Sequence, residues 1–371
     1  MSSVFDNLID QEVVIKTLKE AITASKDSSN NSQNMTHSWL FTGPAGSGRS
    51  NAAIAFAAGL LCEKGGCGTC INCATTIEGS HADIELVRTE GLSIKVDEVR
   101  ELITRTSWSP SVGNYRVVVI EDADRLTESA ANALLKVIEE PGARTVWLLC
   151  APTLTDVIPT IRSRCRHLTL RTPSIKAVTK LLIERDGIDP KMAEFAANAA
   201  QGHIGRAKYL ATNEGARKTR EKILNLSKTI TGLTSALEAA NQLMELASET
   251  ALNELKFKNE SNYNNTKEFM TISNKQILLG SNKILKNLEK SLSAKTKRYT
   301  QDILQGFCID LLDTYIKNFK QPLGRINSQD VVVKNELIEE NITILGSAQI
   351  TILQLESFLV KYFLSQSAKI I

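Results

Sequence analysis

The stretch Trp39–Ser50, which reads WLFTGPAGSGRS, decides the fold of this chain. The apolar run Ser38–Phe41 is typical of a buried strand, and the alanine-rich run Asn51–Leu61 that follows the stretch is typical of a helix. A strand, a glycine turn and a helix start in this order predict a cradle for phosphate. The glycines let backbone N–H groups point inward, and the helix N-terminus adds a partial positive charge.

The cradle departs from the general pattern G-x-x-x-x-G-K-[ST] at one position, because Arg49 stands where the pattern has lysine. Lysine is a compact point charge, whereas arginine is planar and longer, so the replacement is not conservative. The sequence therefore predicts a nucleotide-binding fold. It leaves open whether ATP and Mg2+ bind there, and a glycine turn without a ligand is the alternative. The candidate nucleotide-binding residues are Gly43, Gly46, Gly48, Arg49 and Ser50.

The composition is that of a globular protein with more than one domain. The chain has 371 residues, 42% of them hydrophobic, and a formal net charge of +3, so bulk charge does not require a nucleic-acid partner. No stretch approaches the roughly 20 apolar residues that span a bilayer. The start Met1–Gln11 lacks the basic and apolar regions of a signal peptide. We therefore expect a cytoplasmic protein with no membrane partner.

Four of the seven cysteines lie close together, with two overlapping C-x-x-C steps and glycines that permit tight turns. They are Cys62, Cys67, Cys70 and Cys73. In a reducing compartment this spacing favours a metal over disulfides, and four thiolates can close a tetrahedral Zn2+ site with a structural role. Reduced thiols and an iron–sulfur cluster are the alternatives. His81 and Asp83 lie just beyond and are not counted as ligands.

Strand patterns alternate with helix patterns as far as Thr172, which predicts a parallel α/β sheet. The predicted strands after the first are Asp83–Val87, Tyr115–Ile120, Thr145–Cys150 and His167–Leu170. The predicted helices between them are Asp97–Thr104, with Asp97 as its N-cap, Ser129–Glu140, and Val157–Arg164. A helix that contains Val13, Val14, Leu18 and Ile22 on its apolar face is predicted before the first strand.

An acidic pair, Glu121 and Asp122, follows the strand Tyr115–Ile120. Acidic residues at the carboxyl end of a central strand, beside a phosphate cradle, commonly hold Mg2+ and orient water. The usual order for that role is Asp-Glu. The order Glu-Asp changes the reach by one methylene at each position, and an acidic turn that caps the next helix is the alternative.

After Pro173 the strand patterns stop, and helices are predicted over Ser174–Asp186, over Pro190–Gln201 and from Gly202 onward. From about Ala216 the pattern is helical throughout, interrupted by the asparagine-rich segment Lys256–Lys267. The predicted helices there are Arg217–Leu252, Ser273–Leu292, Arg298–Phe319 and Ile342–Ser367. The lysines that crowd Lys256–Arg298 indicate a solvated helical surface, with contact to DNA or a partner as the alternative.

Four stretches together resemble one family: the cradle, the cysteine cluster, SAANALLKVIEEP at Ser129–Pro141, and IRSRC at Ile161–Cys165. In this order they are similar to the clamp-loader ATPase subunits of bacterial DNA polymerase III, within the AAA+ class. The resemblance covers residues 1 to about 212. It implies an AAA+ domain over 1–172 with a zinc knuckle at 62–73, a small helical lid over 173–213, and a helical collar over 214–371.

Within that family the chain looks most like the delta-prime branch, which keeps the fold and has a degraded ATP site. It departs from the ATP-hydrolysing members at Arg49, at Glu121-Asp122, and at Ala151-Pro152, where those members have a threonine that senses the terminal phosphate. The nucleotide-sensing arginine of the family's lid falls on Arg206.

The resemblance also implies a role for Arg164 in the triplet Ser163-Arg164-Cys165. In a ring of subunits this residue is an arginine finger aimed at the γ-phosphate on a neighbouring subunit, a task suited to a rigid, always charged guanidinium. From spacing alone, a surface ion pair is the alternative. The implied partners are the gamma/tau and delta subunits, and the sliding clamp and primed DNA through the complex.

Three functions remain open. The chain is either a non-hydrolysing subunit that completes a neighbour's ATP site or an ATP-hydrolysing motor of the gamma/tau type, and Arg49, Glu121-Asp122 and Pro152 favour the first. A free-standing AAA+ motor on DNA is a third alternative, against which the zinc knuckle and the collar-length tail argue.

Overall fold

The computed structural model describes residues 3–26, 35–89, 93–106, 108–142, 144–228, 234–235 and 237–252, and isolated residues from 293 to 311 and at 357. The chain divides into two compact units, Met1–Thr89 with Ser93–Glu214 and, after them, a second unit that contains Gly215–Ile371. The predicted helix Ser273–Leu292 and the asparagine-rich segment Lys256–Lys267 lie outside the described residues, as does nearly all of Ile342–Ser367.

A five-stranded parallel sheet forms the centre of the first unit, and the prediction of an α/β sheet is confirmed. The strands are β1 Ser38–Thr42, β2 Ile84–Val87, β3 Arg116–Ile120, β4 Thr145–Ala151 and β5 Arg166–Thr169. Their order is β2-β3-β4-β1-β5, so β2 and β5 are the edges. Every residue of β1 and β4 is buried, as expected for central strands with helices on both faces.

Helices connect the strands because parallel neighbours need crossover connections. The connecting helices are α2 Arg49–Leu61, α3 Ile71–Glu78, α4 Val96–Thr106, α5 Glu128–Glu139 and the short α6 Pro159–Arg162, whereas α1 Glu12–Lys26 precedes β1. A helical group follows with α7 Ile175–Glu184, α8 Pro190–Ala199 and α9 Ile204–Thr212, and then α10 Glu214–Lys228. Among the described residues, no helix is long and apolar enough to cross a membrane.

Two apolar layers enclose the sheet, one on each face, because successive strand residues point to opposite sides. Trp39 and Phe41 of β1 pack into the layer formed by α1 and α2, where the ring centroids of Trp39 and Phe56 lie 4.9 Å apart. Leu40 faces the other layer, with α4 and α5. The continuous burial of Ala52–Leu61 holds α2, and hence the loop before it, rigidly against the sheet.

Three local predictions are wrong. The predicted helix Val157–Arg164 is only the four-residue α6, because Pro159 opens the helix and the chain must turn before β5 begins. Asp97 lies inside the first turn of α4 and is not its N-cap. Val13 is 80% exposed, so the apolar face of α1 consists of Val14, Leu18, Ala21 and Ile22.

Each of the helices α7, α8 and α9 begins with a side-chain cap, which fixes where the helix starts. Ser174 accepts a hydrogen bond from the Ala177 N–H, and Asp189 accepts from Met192. The turn before α9 is tight, because a Cβ on Gly202, at φ +85°, would lie 2.3 Å from the Pro173 carbonyl oxygen. This turn delivers His203 as the cap of α9.

Candidate functional site

The predicted cradle is built by β1, the loop Gly43–Gly48 and the start of α2. Gly46 and Gly48 have left-handed backbone, at φ +83° and +89°, which favours glycine. Gly48 is the N-cap of α2 and makes no side-chain cap bond, so the first-turn N–H groups of this helix stay available to an anion. The Gly43 N–H donates to the carbonyl of Pro152, which ties the loop to the end of β4.

His203 closes over this cradle. A Cβ on Gly46 would lie 2.4 Å from His203 Cγ, so the glycine is required for this close approach. Nδ1 of His203 accepts a hydrogen bond from the Arg206 N–H at 3.2 Å, which brings α9 and Arg206 to the same site. Burial lowers the pKa of His203, and the positive charges of Arg206 and Arg49 lower it further, so the ring is neutral at neutral pH. The sequence analysis missed His203, and its only signal was its position three residues before Arg206.

Arg49 points into the same region. Its Nη1 atom is buried and has no hydrogen-bond partner within the part of the chain that the structure describes. Burial and the negative charge of Asp122 raise the pKa of Asp124, while the positive charges of Arg125 and Arg49 act in the opposite direction. Arg49 therefore shares one electrostatic environment with the acids that follow β3. Asp124 was not among the predicted site residues, although it belongs to the same acidic run.

Glu121 is engaged elsewhere. Its Oε1 accepts a hydrogen bond from Arg88 Nε at 2.9 Å, and its side chain is only 16% exposed. Arg88 follows β2, so this ion pair links the ends of two neighbouring strands. Glu121 and Asp122 do lie at the carboxyl ends of the strands, where the cradle also lies. The first acid of the pair, which stands where the usual Asp-Glu order has its metal-holding residue, is therefore already paired with an arginine.

The triplet Ser163-Arg164-Cys165 lies between α6 and β5, and each of its side chains has a different environment. Cys165 packs against the apolar layer around α5, and burial raises the pKa of its thiol to about 12. Ser163 Oγ donates to the Thr160 carbonyl at 3.1 Å and accepts a hydrogen bond from Arg164 Nη1. Arg164 is 39% exposed and pairs with Glu139 at the end of α5.

Arg164 and the cradle lie at opposite ends of the sheet. Arg166, the first residue of β5, pairs with Trp39 of β1, four residues before Gly43. Four strand residues span about 13 Å, and Arg164 precedes Arg166. The structure therefore does not bring Arg164 together with Gly43–Ser50, whereas it does bring Arg49, Arg206 and the acidic run together.

The four clustered cysteines form a compact sulfur site. All four Sγ atoms lie within 4.8 Å of one another, with Cys62 3.8 Å from Cys67 and 3.6 Å from Cys70. A tetrahedral Zn2+ with Zn–S bonds of about 2.3 Å requires sulfurs about 3.8 Å apart, so the geometry fits. Hydrogen bonds from the backbone and side chain of Thr69 lower the pKa of Cys67 to about 6, and burial raises that of Cys73. None of the seven cysteines forms a disulfide.

The knuckle formed by Cys62–Cys73 is fastened to the rest of the first unit. Lys26 Nζ, at the end of α1, donates to the carbonyls of Cys62 and Glu63 at 2.9 and 2.6 Å. The Val4 N–H donates to the carbonyl of Gly66 at 3.2 Å. The cluster thus joins the N-terminal segment, α1 and the end of α2.

Residues 18–174 match a family model described as DNA polymerase III, delta subunit. The subunit delta' of DNA polymerase III from Bacillus subtilis is 33% identical over 199 residues, which cover 53% of this chain and 60% of that protein. The gamma/tau subunit from Mycobacterium bovis is 30% identical over 192 residues, covering 50% of this chain and 32% of that protein. The chain thus spans less than two thirds of the length of these relatives.

One solved structure that aligns with this chain comes from Thermotoga maritima. It is a DNA polymerase III gamma subunit-related protein, which aligns with 96% of this chain and 100% of its own length, at 17% identity and a TM-score of 0.43.

Proposed function

We propose, from the confirmed similarity of its first unit to the clamp-loader subunits of DNA polymerase III, that this chain works as a delta-prime-type subunit of that loader. In this proposal it hydrolyses little or no ATP itself and supplies Arg164 to the ATP site of a neighbouring subunit. The loader opens and places a sliding clamp on primed DNA, and this chain completes one of its ATP sites.

The position of Arg164 carries the proposal. A partly exposed guanidinium stands at the amino end of β5, at the other end of the sheet from the chain's own cradle. It is too far away to serve a nucleotide bound at Gly43–Ser50, whereas a neighbouring chain can place its γ-phosphate there. An arginine stabilises the charge that develops on a transferred phosphoryl group, because it is always ionised and forms a rigid fork of donors.

The state of the chain's own cradle supports weak or absent hydrolysis. Arg49 replaces the lysine of the general pattern, Glu121 is paired with Arg88, and Pro152 contributes only its carbonyl to the loop. These three features act at different parts of the site, and all oppose catalysis.

The second candidate is an ATP-hydrolysing motor of the gamma/tau type. The 30% identity to a gamma/tau subunit and the preserved glycines of the cradle favour it. A nucleotide titration on the isolated chain, followed by an assay of phosphate release with and without primed DNA, separates the two. DNA-stimulated turnover by the isolated chain would establish the motor function and exclude the subunit proposed here.

We propose that the cysteine cluster binds one Zn2+ and that the ion is structural. A tetrahedral set of four thiolates suits zinc or an iron–sulfur cluster, and four protein ligands leave no position open for a substrate. Metal analysis of the purified chain tests this proposal. We expect about one zinc and no iron per chain. Iron in place of zinc would refute it.

The proposed partners are the gamma/tau and delta subunits as neighbours in a ring, with the sliding clamp and primed DNA bound by the complex. We propose that the lid comprises residues 173–213, that residues 214–371 form the collar that joins the ring, and that the assembly works in the cytoplasm. Reconstitution with purified gamma/tau and delta subunits, followed by size-exclusion chromatography, tests the assembly. A chain that stays monomeric in that mixture would contradict it.

A further inference from the structure

Glu139 holds the arginine that the proposed function assigns to a neighbour's ATP. Its Oε1 accepts a hydrogen bond from Arg164 Nε at 2.5 Å. Glu139 is the last residue of α5, where the negative end of the helix dipole also favours a nearby cation. The two residues are 25 positions apart in the sequence, so only the tertiary fold brings them together.

The guanidinium is fixed on two of its three nitrogens. Nε binds Glu139, and Nη1 donates to the Thr160 carbonyl at 2.9 Å and to Ser163 Oγ at 3.2 Å. Among the described residues nothing accepts a hydrogen bond from Nη2. The two N–H groups of Nη2 therefore stay available for oxygen atoms of a ligand while the rest of the fork is held in place.

Stability is a poor explanation for this pair. Both side chains are well exposed, at 39% for Arg164 and 46% for Glu139, and exposed ion pairs contribute little to folding. A long arginine side chain samples many rotamers when it is free, so an unheld finger would lose that freedom each time it reached a phosphate. A held fork avoids this loss, which is how positioning accelerates a reaction.

We infer that Glu139 is a positioning residue for Arg164, which keeps Nη2 presented to the γ-phosphate of a neighbouring subunit. The inference rests on the proposed function, since it assigns Glu139 a role only through Arg164. It predicts an effect on the turnover of the neighbour's ATP and not on the affinity for ATP, because Glu139 itself does not touch the nucleotide.

A double-mutant cycle in the loader reconstituted with gamma/tau and delta subunits tests the inference. The variants are Glu139→Ala, Glu139→Gln, Arg164→Ala and the double variant Glu139→Ala with Arg164→Ala, each assayed for kcat and KM for ATP with clamp and primed DNA. We expect Glu139→Ala to lower kcat roughly three- to tenfold with KM unchanged. Glu139→Gln keeps an acceptor oxygen without the charge, so we expect a smaller loss.

The decisive comparison is the effect of Glu139→Ala in the absence of the arginine. We expect the double variant to match Arg164→Ala, since a positioning residue has nothing left to position. A further loss of kcat in the Arg164→Ala background would show that Glu139 acts structurally and would overturn the inference. Equal kcat for Glu139→Ala and the unchanged chain would also overturn it.

The matched control is Glu140→Ala. Glu140 is the next glutamate in the chain, is also exposed, and has no side-chain hydrogen bond or ion pair with the described residues. It should leave kcat unchanged, and thermal unfolding of every variant should stay close to that of the unchanged chain. If Arg164→Ala itself has no effect, the finger in the proposed function is wrong. If Arg164→Ala lowers kcat and Glu139→Ala does not, only this inference is wrong.

Discussion

At the scale of single residues, one buried carboxylate organises the loop between α4 and β3. Asp83 is fully buried, and its two oxygens accept backbone N–H bonds from Ser111, Val112 and Gly113 at 2.5 to 2.8 Å. Burial alone would raise the pKa of Asp83, but these three bonds outweigh it and hold the pKa below its usual range. The buried charge of Asp83 therefore holds residues 111–113 in place.

We expect Asp83→Asn to lower the free energy of unfolding by about 2–4 kcal/mol, because an amide accepts fewer and weaker bonds than a carboxylate. Since the folded-state pKa is depressed, the stabilisation is present above the ordinary pKa of about 4 and is lost as pH falls through the lower folded value. Urea unfolding at pH 7 and at decreasing pH below 4 measures both effects. The gap between the two proteins should narrow in acid.

Asp97→Asn is the control for this prediction. Asp97 is 88% exposed and its ion pair with Arg100 is long, at 3.6 Å, so its replacement should change the unfolding free energy by less than about 0.5 kcal/mol. Equal losses for the two variants would mean that the three loop bonds contribute nothing specific.

Arg164 is the residue whose charge geometry matters most for the proposed function. Arginine fingers given to another chain accelerate well-studied GTPases by about 10³–10⁵. Because a ring has several ATP sites, we expect Arg164→Ala to lower the loader's ATPase and clamp loading by a smaller factor, with assembly intact. Arg164→Lys should restore little, because a point charge cannot reproduce the fork that Glu139 and Ser163 hold.

Arg162→Ala is the matched control, since Arg162 lies two residues away and donates to the carbonyl of Leu154 in its own chain. A loader assembled with the Arg162→Ala chain should hydrolyse ATP as fast as a loader assembled with the unchanged chain. An Arg164→Lys loader with full activity would show that only the charge is needed and would contradict the role of the fork.

At the scale of elements, the cysteine knuckle is an excursion between α2 and α3 that is fastened from outside. Lys26 binds two of its carbonyls, and Gly66 lies against Val4, with a Cβ there only 2.7 Å from the valine side chain. The knuckle therefore has support from α1 and the N-terminal segment in addition to any metal. None of these contacts involves a strand of the sheet.

We expect metal removal to loosen the knuckle without unfolding the sheet. Structural zinc contributes roughly 10–16 kcal/mol in isolated zinc-finger peptides, but here α2 and the sheet bury their own core. A chelator, or Cys70→Ser, should expose residues 62–73 to hydrogen exchange and proteolysis while the far-UV circular dichroism stays near that of the untreated chain. Cys165→Ser, outside the cluster, should keep the metal. Global unfolding on chelation would contradict this prediction.

At the scale of the whole molecule, the two sites on which the proposed function depends lie at opposite ends of the strands of the first unit's sheet. The cradle, the acidic run and the residues of α9 lie at the carboxyl ends of the strands. Arg164 and Glu139 lie at the amino ends. In a ring, such a subunit can contact one neighbour through its cradle and the other neighbour through Arg164. That polarity is what a ring with ATP between neighbours requires.

We expect the isolated chain to hydrolyse ATP only at background level, and Arg49→Lys not to restore activity. A lysine repairs one departure, but Glu121 stays paired with Arg88, and Pro152 still stands where a threonine that senses the terminal phosphate is expected. Phosphate release by both proteins, with and without primed DNA, measures this. An Arg49→Lys chain with DNA-stimulated turnover would show that the arginine alone disables the site.

The sequence alone determined the parallel sheet, the position of the cradle, the cysteine cluster and the resemblance to clamp-loader subunits. Each depends on local order: an apolar run before glycines, cysteines at fixed spacing, or a continuous motif such as Asn132–Pro141. Such signals are legible because the residues that cooperate are neighbours in the chain.

The tertiary structure alone decided which side chains meet. His203 over Gly46, Arg88 on Glu121 and Glu139 on Arg164 join residues far apart in the sequence, and no periodicity or spacing encodes such a pair. The length of α6 was decided in the same way, because the start of β5 is fixed by its pairing with β1. The sequence identifies the residues able to do the chemistry, whereas the packing of helices on the sheet determines which of them are already engaged.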